Sequence, residues 1–266
     1  MTVNYADCGL HPVNLGRGVI ATFTTRHTGN LGFNTGDDPA LVAENRRRLS
    51  SALGVPVAFA SQVHGADVLQ LNAVTKTLWD AVNPPTTVGE ADAMVTSVPG
   101  LGLGILVADC VPVLLADPVA RVVAVAHAGR AGVEKSVVPR IVEAMLRAGA
   151  VVDNLRAAIG PAICGRCYEV PHEMREQVAR VTPTAWATTD RGTPALDLPG
   201  AVRDQLSGLG VSVVSAPAAC TWESPDLFSY RRAVARNSKT GRLAGVIALE
   251  TYATRRVLPQ SQGQTH

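Results

Sequence analysis

Residues 102–132 read GLGILVADCVPVLLADPVARVVAVAHAGRAG, the most apolar segment of the chain. Its two apolar runs are separated by DPVA (residues 117–120), a β-turn signal with proline in the favoured second position. The segment therefore predicts an antiparallel hairpin, and folding it about the bond after Pro118 places Cys110 opposite His127. Facing residues of such a pair have Cβ atoms about 4.5–5.5 Å apart, near enough to share a proton or a metal ion. Pro112 must avoid a ladder hydrogen-bonding position, but a shifted register still leaves both side chains at one end of the sheet.

The composition limits the class of protein. The 266 residues suffice for one large domain or two small ones, and 47% of them are apolar, enough for a buried core. The net charge is only +2 and the longest basic run is three arginines, which argues against a nucleic-acid partner. No apolar stretch reaches the length of a membrane span, and no signal peptide is visible. Five cysteines without framework spacing indicate free thiols, so we expect a cytoplasmic protein.

Local patterns predict an α+β fold. Asp38 and Pro39 form a helix start and Gly54 a helix stop. Pro139 should delay or kink a later helix. Because strands outnumber helices, we expect a single domain over 1–256 with helices packed outside central mixed sheets, and a disordered tail at 257–266. The expected strands are 17–26, two within 57–71, 91–100, the hairpin, 155–163, 211–217 and 240–250; helices are expected from about 171 and at 199–208, and a surface loop at 75–90.

Three side chains are candidates for chemistry. His64 and His127 both stand at predicted strand ends beside glycines, and Cys110 lies in the hairpin. In one hypothesis the three bind zinc and leave a fourth position open, as in catalytic zinc sites. In another, Cys110 is a nucleophile with His127 as its base. In a third, Cys110 is a small buried hydrophobe.

Other motifs carry weaker signals. The loop 27–39 is rich in Gly, Asn and Asp, which suits turns or ligand contacts alike. Arg130 and its flanking glycines resemble an anion-binding helix entry. A single Cys-x-x-Cys, Cys164 to Cys167, is half of a zinc ribbon, so no dithiol or metal role is predicted for it. Arg231, Arg232 and Arg242 are further candidates for binding an anion.

Ordered motifs resemble those of the laccase-domain family, a group also described as multicopper polyphenol oxidases, purine nucleoside phosphorylases and peptidoglycan editing factors. The resemblance implies a single layered α/β/β/α domain similar to cysteine hydrolases, with a metal, usually zinc, on His64, Cys110 and His127. Cys164 departs from the commoner family pattern. The matching motifs are FTTR…NLG…GDD…ENR (23–46), QVHG (62–65), ADAMVTS (91–97), ADCVPVLLAD (108–117), AHAGRAG (126–132), IGPAI with CYEV (159–170), CT (220–221) and LFSYRR…TGR (227–242).

The resemblance leaves several activities open. A four-copper oxidase needs paired His-x-His ligands, and the chain has six histidines and no such pair, so copper chemistry is disfavoured. We expect a zinc enzyme that phosphorolyses purine nucleosides, adenosine and inosine foremost, and also deaminates adenosine. The alternatives are an amidohydrolase that edits peptidoglycan precursors through a zinc-activated water or the Cys110 thiolate, and a non-catalytic zinc-binding protein. Expected phosphate and ribose contacts are Arg26, Asn30, Asn34 and Arg130.

Overall fold

The computed structural model describes residues 8–73, 87–217 and 219–251. The predicted loop at 75–90 falls largely outside these ranges, and the predicted tail at 257–266 falls entirely outside them. The strands are β1 (Leu10–Pro12), β2 (Val19–Thr24), β3 (Val57–Phe59), β4 (Val68–Gln70), β5 (Ala93–Thr96), β6 (Gly102–Val107), β7 (Val111–Asp117), β8 (Val122–Ala128), β9 (Arg156–Ile159), β10 (Trp186–Thr188), β11 (Pro194–Leu196), β12 (Ser212–Val213) and β13 (Leu243–Leu249); the α-helices are α1 (Pro39–Leu53), α2 (Arg130–Glu134), α3 (Val137–Arg147), α4 (His172–Val181), α5 (Leu198–Gly208) and α6 (Tyr230–Ala235).

Two mixed sheets pack face to face. One has the strand order β1-β2-β13-β6-β3 and the other β12-β9-β7-β8-β5-β4, while β10 and β11 form a separate ribbon. Each large sheet contains both parallel and antiparallel neighbours: β3 is parallel to β6, and β4 is parallel to β5. Phe23 and Ile247 from the first sheet share a buried cluster with Leu114 and Val125 from the second. The main inner layer is therefore built from apolar strand residues of both sheets.

Helices cover the outer faces of both sheets. Alternate residues of β7 point away from the inner layer, and Val113 and Leu115 pack with Ile141 of α3 and Leu206 of α5. On the other side, Leu49 of α1 packs with the outward residues of β13. This period-two alternation on central strands gives the α/β/β/α layers that the family resemblance implies. The single α+β domain predicted from the sequence is confirmed.

Helix α1 shows how local chemistry fixes an element. The Asp38 side chain accepts a hydrogen bond from the Ala40 N–H, Pro39 occupies the first turn, and Gly54 ends the helix with φ of 69°. The predicted delay of the later helix by Pro139 is also present. The chain turns at Ser136, with φ of 63°, and α3 starts afresh, so that Pro139 lies in its first turn.

The central hairpin forms, but its predicted register is wrong. Pro112 faces His127, Asp117 faces Val122, and the turn spans residues 118–121. The Asp117 carboxylate accepts hydrogen bonds from two turn N–H groups, those of Val119 and Ala120. The turn between the paired residues therefore holds two more residues than predicted. Cys110 consequently lies just before β7 rather than opposite His127, although both stay at the same end of the sheet. None of the described helices is long and apolar enough to cross a membrane.

Candidate metal centre

Three chain segments bring His64, Cys110 and His127 together. His64 lies between β3 and β4 and has a backbone φ of 56°. Cys110 directly follows Asp109, whose own φ is 91°. His127 lies near the end of β8. The potential ligand atoms of the three side chains lie within 4.8 Å of one another. Cys110 Sγ is 3.9 Å from His64 Nε2, and the two imidazole centroids are 4.8 Å apart. The hypothesis that these residues share one site therefore has a geometric basis.

Asp92 orients both histidines through hydrogen bonds, to the ring of His127 and to the backbone of His64. Its carboxylate is fully buried, and Oδ1 accepts a hydrogen bond of 2.7 Å from His127 Nδ1. The same carboxylate accepts the backbone N–H groups of Val63, His64 and Gly65. With Nδ1 donating to Asp92, only Nε2 of His127 remains as a ligand atom, which is the usual carboxylate–histidine support of a metal site. Asp92 was not among the predicted site residues, although its position before a buried strand in ADAMVTS was a usable signal.

The electrostatics of the group favour a charged pair. Burial alone would raise the pKa of the Cys110 thiol, but the charge and hydrogen bonds of His127 and His64 lower it to about 6. Burial would likewise lower the pKa of His127, yet the Cys110 thiolate and the hydrogen bond to Asp92 raise it to about 9. For Asp92, the His127 hydrogen bond and backbone donors outweigh burial and lower its pKa.

Two neighbouring residues shape the site. A Cβ at Gly129 would lie 3.0 Å from Cys110 Sγ and 3.0 Å from His64 Cδ2, so any larger residue there would press on both ligand side chains. Asp109 holds the unusual backbone before Cys110, because its carboxylate accepts hydrogen bonds of 2.6 Å from Thr221 Oγ1 and the Arg231 N–H. A buried carboxylate at a strand end needs such partners.

The donor set fits a zinc ion. Two imidazoles and one thiolate are an accepted ligand combination that leaves a fourth position for water or substrate. His127 is braced by Asp92, and the small Gly129 keeps space around the cysteine sulfur. Cys110 and His127 also satisfy the geometry of an activated thiol, because the thiol lies beside the imidazole of His127 and Asp92 holds that imidazole in place. Both chemical hypotheses from the sequence remain compatible with the site.

A cleft of about 550 Å³ opens above these side chains. This volume falls within the range of small-molecule sites. The half-buried Phe33 offers an aromatic face on the cleft wall, and the guanidinium of Arg46 stacks on that ring at 4.6 Å from its centroid. Tyr230 and Asn34 are exposed at the cleft. A flat, partly apolar ligand with polar edges suits such walls.

The predicted substrate contacts separate into two groups. Asn34 lines the cleft. Asn30 is buried and organises the loop, since its Oδ1 accepts the Gly32 and Arg242 N–H groups. Arg26 and Arg130 are absent from the residues that line the described cleft.

Both arginines have other partners. Arg26 donates to the Pro225 carbonyl and stacks on Phe228, whereas Arg130 forms a 2.6 Å ion pair with Glu134 one helical turn away.

Arg242 is the cation best placed for an anionic ligand. It is half-buried on the cleft wall, burial lowers its pKa, and Cys110 and Asp109 oppose that effect through their charges. Its guanidinium donates to the carbonyl of Gly241. Arg46 also lines the cleft, but its Nε is bound to the Leu31 carbonyl, and burial lowers its pKa to about 10.

A second cluster lies outside the cleft. Cys164, Cys167, Cys220 and Glu223 have their sulfur and carboxylate atoms within 4.8 Å of one another. The Cys-x-x-Cys therefore has partners from a distant part of the chain, Cys220 and Glu223, which its spacing alone did not predict. Burial and the neighbouring thiols raise the pKa values of Cys167 and Cys220.

Relatives of known name resemble the chain over most of its length. The family profile described as multi-copper polyphenol oxidoreductase laccase matches residues 17–250. A purine nucleoside phosphorylase of Streptomyces griseus is 50% identical over 224 residues, covering 83% of this chain and 87% of that protein. A purine nucleoside phosphorylase of Mycobacterium tuberculosis strain H37Rv is 42% identical over 228 residues, covering 84% and 85%.

Solved structures match the same fold. YfiH of Bacillus licheniformis, described as a hypothetical protein, superposes with a TM-score of 0.79 at 28% identity, covering 93% of this chain and 98% of that one. YlmD of Geobacillus stearothermophilus superposes with a TM-score of 0.77 at 32% identity, covering 90% and 94%. The fold is thus shared along nearly the whole of each chain.

Proposed function

The chain belongs to the family described as multi-copper polyphenol oxidoreductase laccase, which confirms the resemblance of its motifs, and from this premise we propose that it is an enzyme that phosphorolyses purine nucleosides. Its first substrates are adenosine and inosine, with inorganic phosphate as co-substrate. Relatives at 50% and 42% identity bear the name purine nucleoside phosphorylase. The observation that carries the proposal is the convergence of His64, Cys110 and His127 at a cleft that also presents Phe33 and Arg242.

The metal of the proposal is zinc, with copper the less favoured choice. A bound divalent zinc ion supplies a Lewis acid that orients and polarises an oxygen of the substrates. The chain's contribution is rigidity: Asp92 fixes the tautomer of His127 and the backbone around His64. A four-copper oxidase is disfavoured, because the sequence offers six histidines and no His-x-His pair.

The remaining cleft residues bind and orient the two substrates. The ring of Phe33, already stacked by Arg46, provides a face for the purine, and the Asn34 amide can donate to or accept from its polar edge. Arg242 binds phosphate, since a guanidinium matches its oxygens in bidentate fashion.

Phosphorolysis transfers the ribose from the purine to phosphate. A phosphate oxygen forms a bond to C1′ of the ribose as the C1′–N9 bond breaks. The electron pair of the broken bond stays on N9 of the departing purine. The purine takes up a proton from solvent at the open cleft, giving the free base and ribose 1-phosphate. Holding both reactants in line accounts for much of such a rate enhancement.

Chromatography of nucleosides tests the proposal. Zinc-loaded protein is incubated with adenosine or inosine, with and without phosphate, and bases and nucleosides are quantified. We expect adenine and hypoxanthine only when phosphate is present, and none with Cys110→Ser. Conversion of adenosine to inosine would reveal the deamination that we also propose at this cleft. Intact nucleosides at high protein concentration would contradict the proposal and favour a non-catalytic zinc-binding protein.

A second candidate function rests on the arrangement of Cys110, His127 and Asp92. A thiolate beside an imidazolium that is oriented by a carboxylate is the constellation of nucleophilic amide hydrolysis. The substrate would be an amide such as one in a peptidoglycan precursor. This function predicts turnover that survives removal of metal by a chelator, whereas phosphorolysis at a zinc centre predicts loss of activity.

A further inference from the structure

The second cluster joins two loops that are far apart in sequence. Cys164 and Cys167 follow β9, whereas Cys220 and Glu223 precede α6. The Cys167 sulfur lies 3.7 Å from Glu223 Oε1, and the Cys164 N–H points at the Cys220 sulfur at 3.4 Å. The cluster is separate from the cleft, whose lining includes none of these four residues.

We propose that Cys164, Cys167, Cys220 and Glu223 form a second metal site, one that binds a thiophilic divalent cation such as zinc in a structural role. Zinc accepts thiolate and carboxylate ligands at about 2.3 Å and 2.0–2.2 Å, respectively. Two sulfurs on one tetrahedral ion then lie roughly 3.8 Å apart. Because all four ligand atoms already lie within 4.8 Å of one another, closing on an ion needs only small side-chain movements.

The backbone holds the two loops in place without the ion. The N–H groups of Cys167 and Tyr168 both donate to the Cys164 carbonyl, which closes the turn of the Cys-x-x-Cys. The second loop is tied to the first because the Thr221 N–H donates to the Ala162 carbonyl at 3.1 Å, within an isolated parallel bridge at Cys220. Four ligands from two fixed loops make a prearranged site, unlike a lone Cys-x-x-Cys.

The local charge also suits a cation with thiolate ligands. Three thiolates and one carboxylate exceed the charge of a divalent ion, so a further cation nearby is favourable. Arg166 supplies it, with Nη2 3.6 Å from Glu223 Oε1, and its own pKa is raised by Cys164 and Glu223. The three cysteines are half-buried, and Glu223 is exposed at the outer side.

A metal at this position stabilises the wall behind the first site. Thr221, between the two ligands of the second loop, donates to Asp109, and Asp109 precedes Cys110. Joining the loops therefore fixes the backbone that presents Cys110. We expect removal of the second ion to lower the unfolding temperature and leave the first site's ligands intact.

Metal analysis of full-length protein, purified under reducing conditions from zinc-supplemented cells, tests the site. We expect two zinc equivalents per chain, one in Cys167→Ser or Cys220→Ser, one in Cys110→Ser and two in the control Cys8→Ser. Glu223→Gln is a mild change at an exposed position, so this variant should fold normally. In competition with a chromophoric chelator, its second site should bind zinc roughly tenfold or more weakly than that of the wild-type protein. One equivalent in the wild-type protein, lost only with Cys110→Ser, would overturn the proposal. So would a disulfide within the cluster in the reduced preparation, or unchanged zinc in Cys167→Ser.

Discussion

Asp92 and His127 are joined by a 2.7 Å hydrogen bond between a fully buried carboxylate and an imidazole whose other nitrogen is left for the cleft. Because Asp92 also accepts three backbone N–H groups around His64, one side chain positions two of the three proposed metal ligands. This coupling makes Asp92 the first residue to test.

Asp92→Asn should weaken zinc binding at the first site by roughly 10–100-fold, because the amide cannot accept the full set of hydrogen bonds or fix the tautomer of His127. It should also cost about 1–3 kcal/mol of unfolding free energy, since buried donors lose their partner. Chelator competition and thermal unfolding measure the two effects. Asp226→Asn, at an exposed position, serves as the control; equal zinc affinity in both variants would contradict the role given to Asp92.

Gly129→Ala should disturb the metal ligands without changing any charged group. Its Cβ would lie 3.0 Å from Cys110 Sγ and from His64 Cδ2, so both ligand side chains must shift by a few tenths of an ångström. At the usual cost of overpacking, about 1–3 kcal/mol, zinc affinity should fall roughly tenfold. The matched control is Gly208→Ala in α5, where a Cβ meets nothing within 4 Å and helix propensity improves. Unchanged affinity in Gly129→Ala would show that the ligand atoms have more room than the structure gives them.

The pH dependence of Cys110 tests the proposed charge pair in metal-free protein. Since the pKa of Cys110 is lowered to about 6 and that of His127 raised to about 9, thiolate and imidazolium coexist between these values. Alkylation of Cys110 should rise through pH 6 and level off above pH 7, whereas an ordinary cysteine gains reactivity up to about pH 8.5 and beyond.

Peptide mass spectrometry after brief alkylation reports each cysteine separately. Cys167, whose pKa is raised, provides the internal comparison, and its labelling should increase only at alkaline pH. Added zinc should protect Cys110. A Cys110 rate that keeps climbing to pH 9 would exclude a thiolate stabilised by His127.

Arg242→Gln should raise the KM for phosphate at least several-fold and change the KM for the nucleoside little, because its guanidinium lies on the cleft wall and interacts with the charge of Cys110. Initial rates at varied phosphate measure this. Arg147→Gln removes an exposed arginine paired with Glu143 and should leave both constants unchanged. If Arg26→Gln raised the KM for phosphate and Arg242→Gln did not, the anion would bind where the sequence indicated.

The sequence predicted what local chemistry decides. Helix α1 begins after Asp38 and ends at Gly54 as expected, because capping depends on a few adjacent residues. The apolar runs about Asp117 identified the central hairpin, but its register depended on which turn N–H groups the Asp117 carboxylate would accept, and that choice was not visible in the turn signal.

Long-range assembly was harder to predict. His64 could be joined to Cys110 by elimination among six histidines. Asp92 is one of many acidic residues, and its place before the buried strand in ADAMVTS was the signal that the sequence offered for it. The partners of Cys164 come from a loop 56 residues later, and no local spacing indicates them. Arg26 and Arg130 looked suitable by type, yet their guanidinium groups are directed to Pro225 and Glu134 by neighbouring structure.

The most direct test of the proposed phosphorolysis follows phosphorus rather than the base. Zinc-loaded protein with inosine and inorganic phosphate is monitored by phosphorus NMR, and Cys110→Ser is run in parallel. We predict that phosphate is converted to ribose 1-phosphate in one-to-one proportion with hypoxanthine, and that the variant forms neither. Hypoxanthine released without consumption of phosphate, or no product at all from the zinc-loaded protein, would contradict a nucleoside phosphorylase centred on His64, Cys110 and His127.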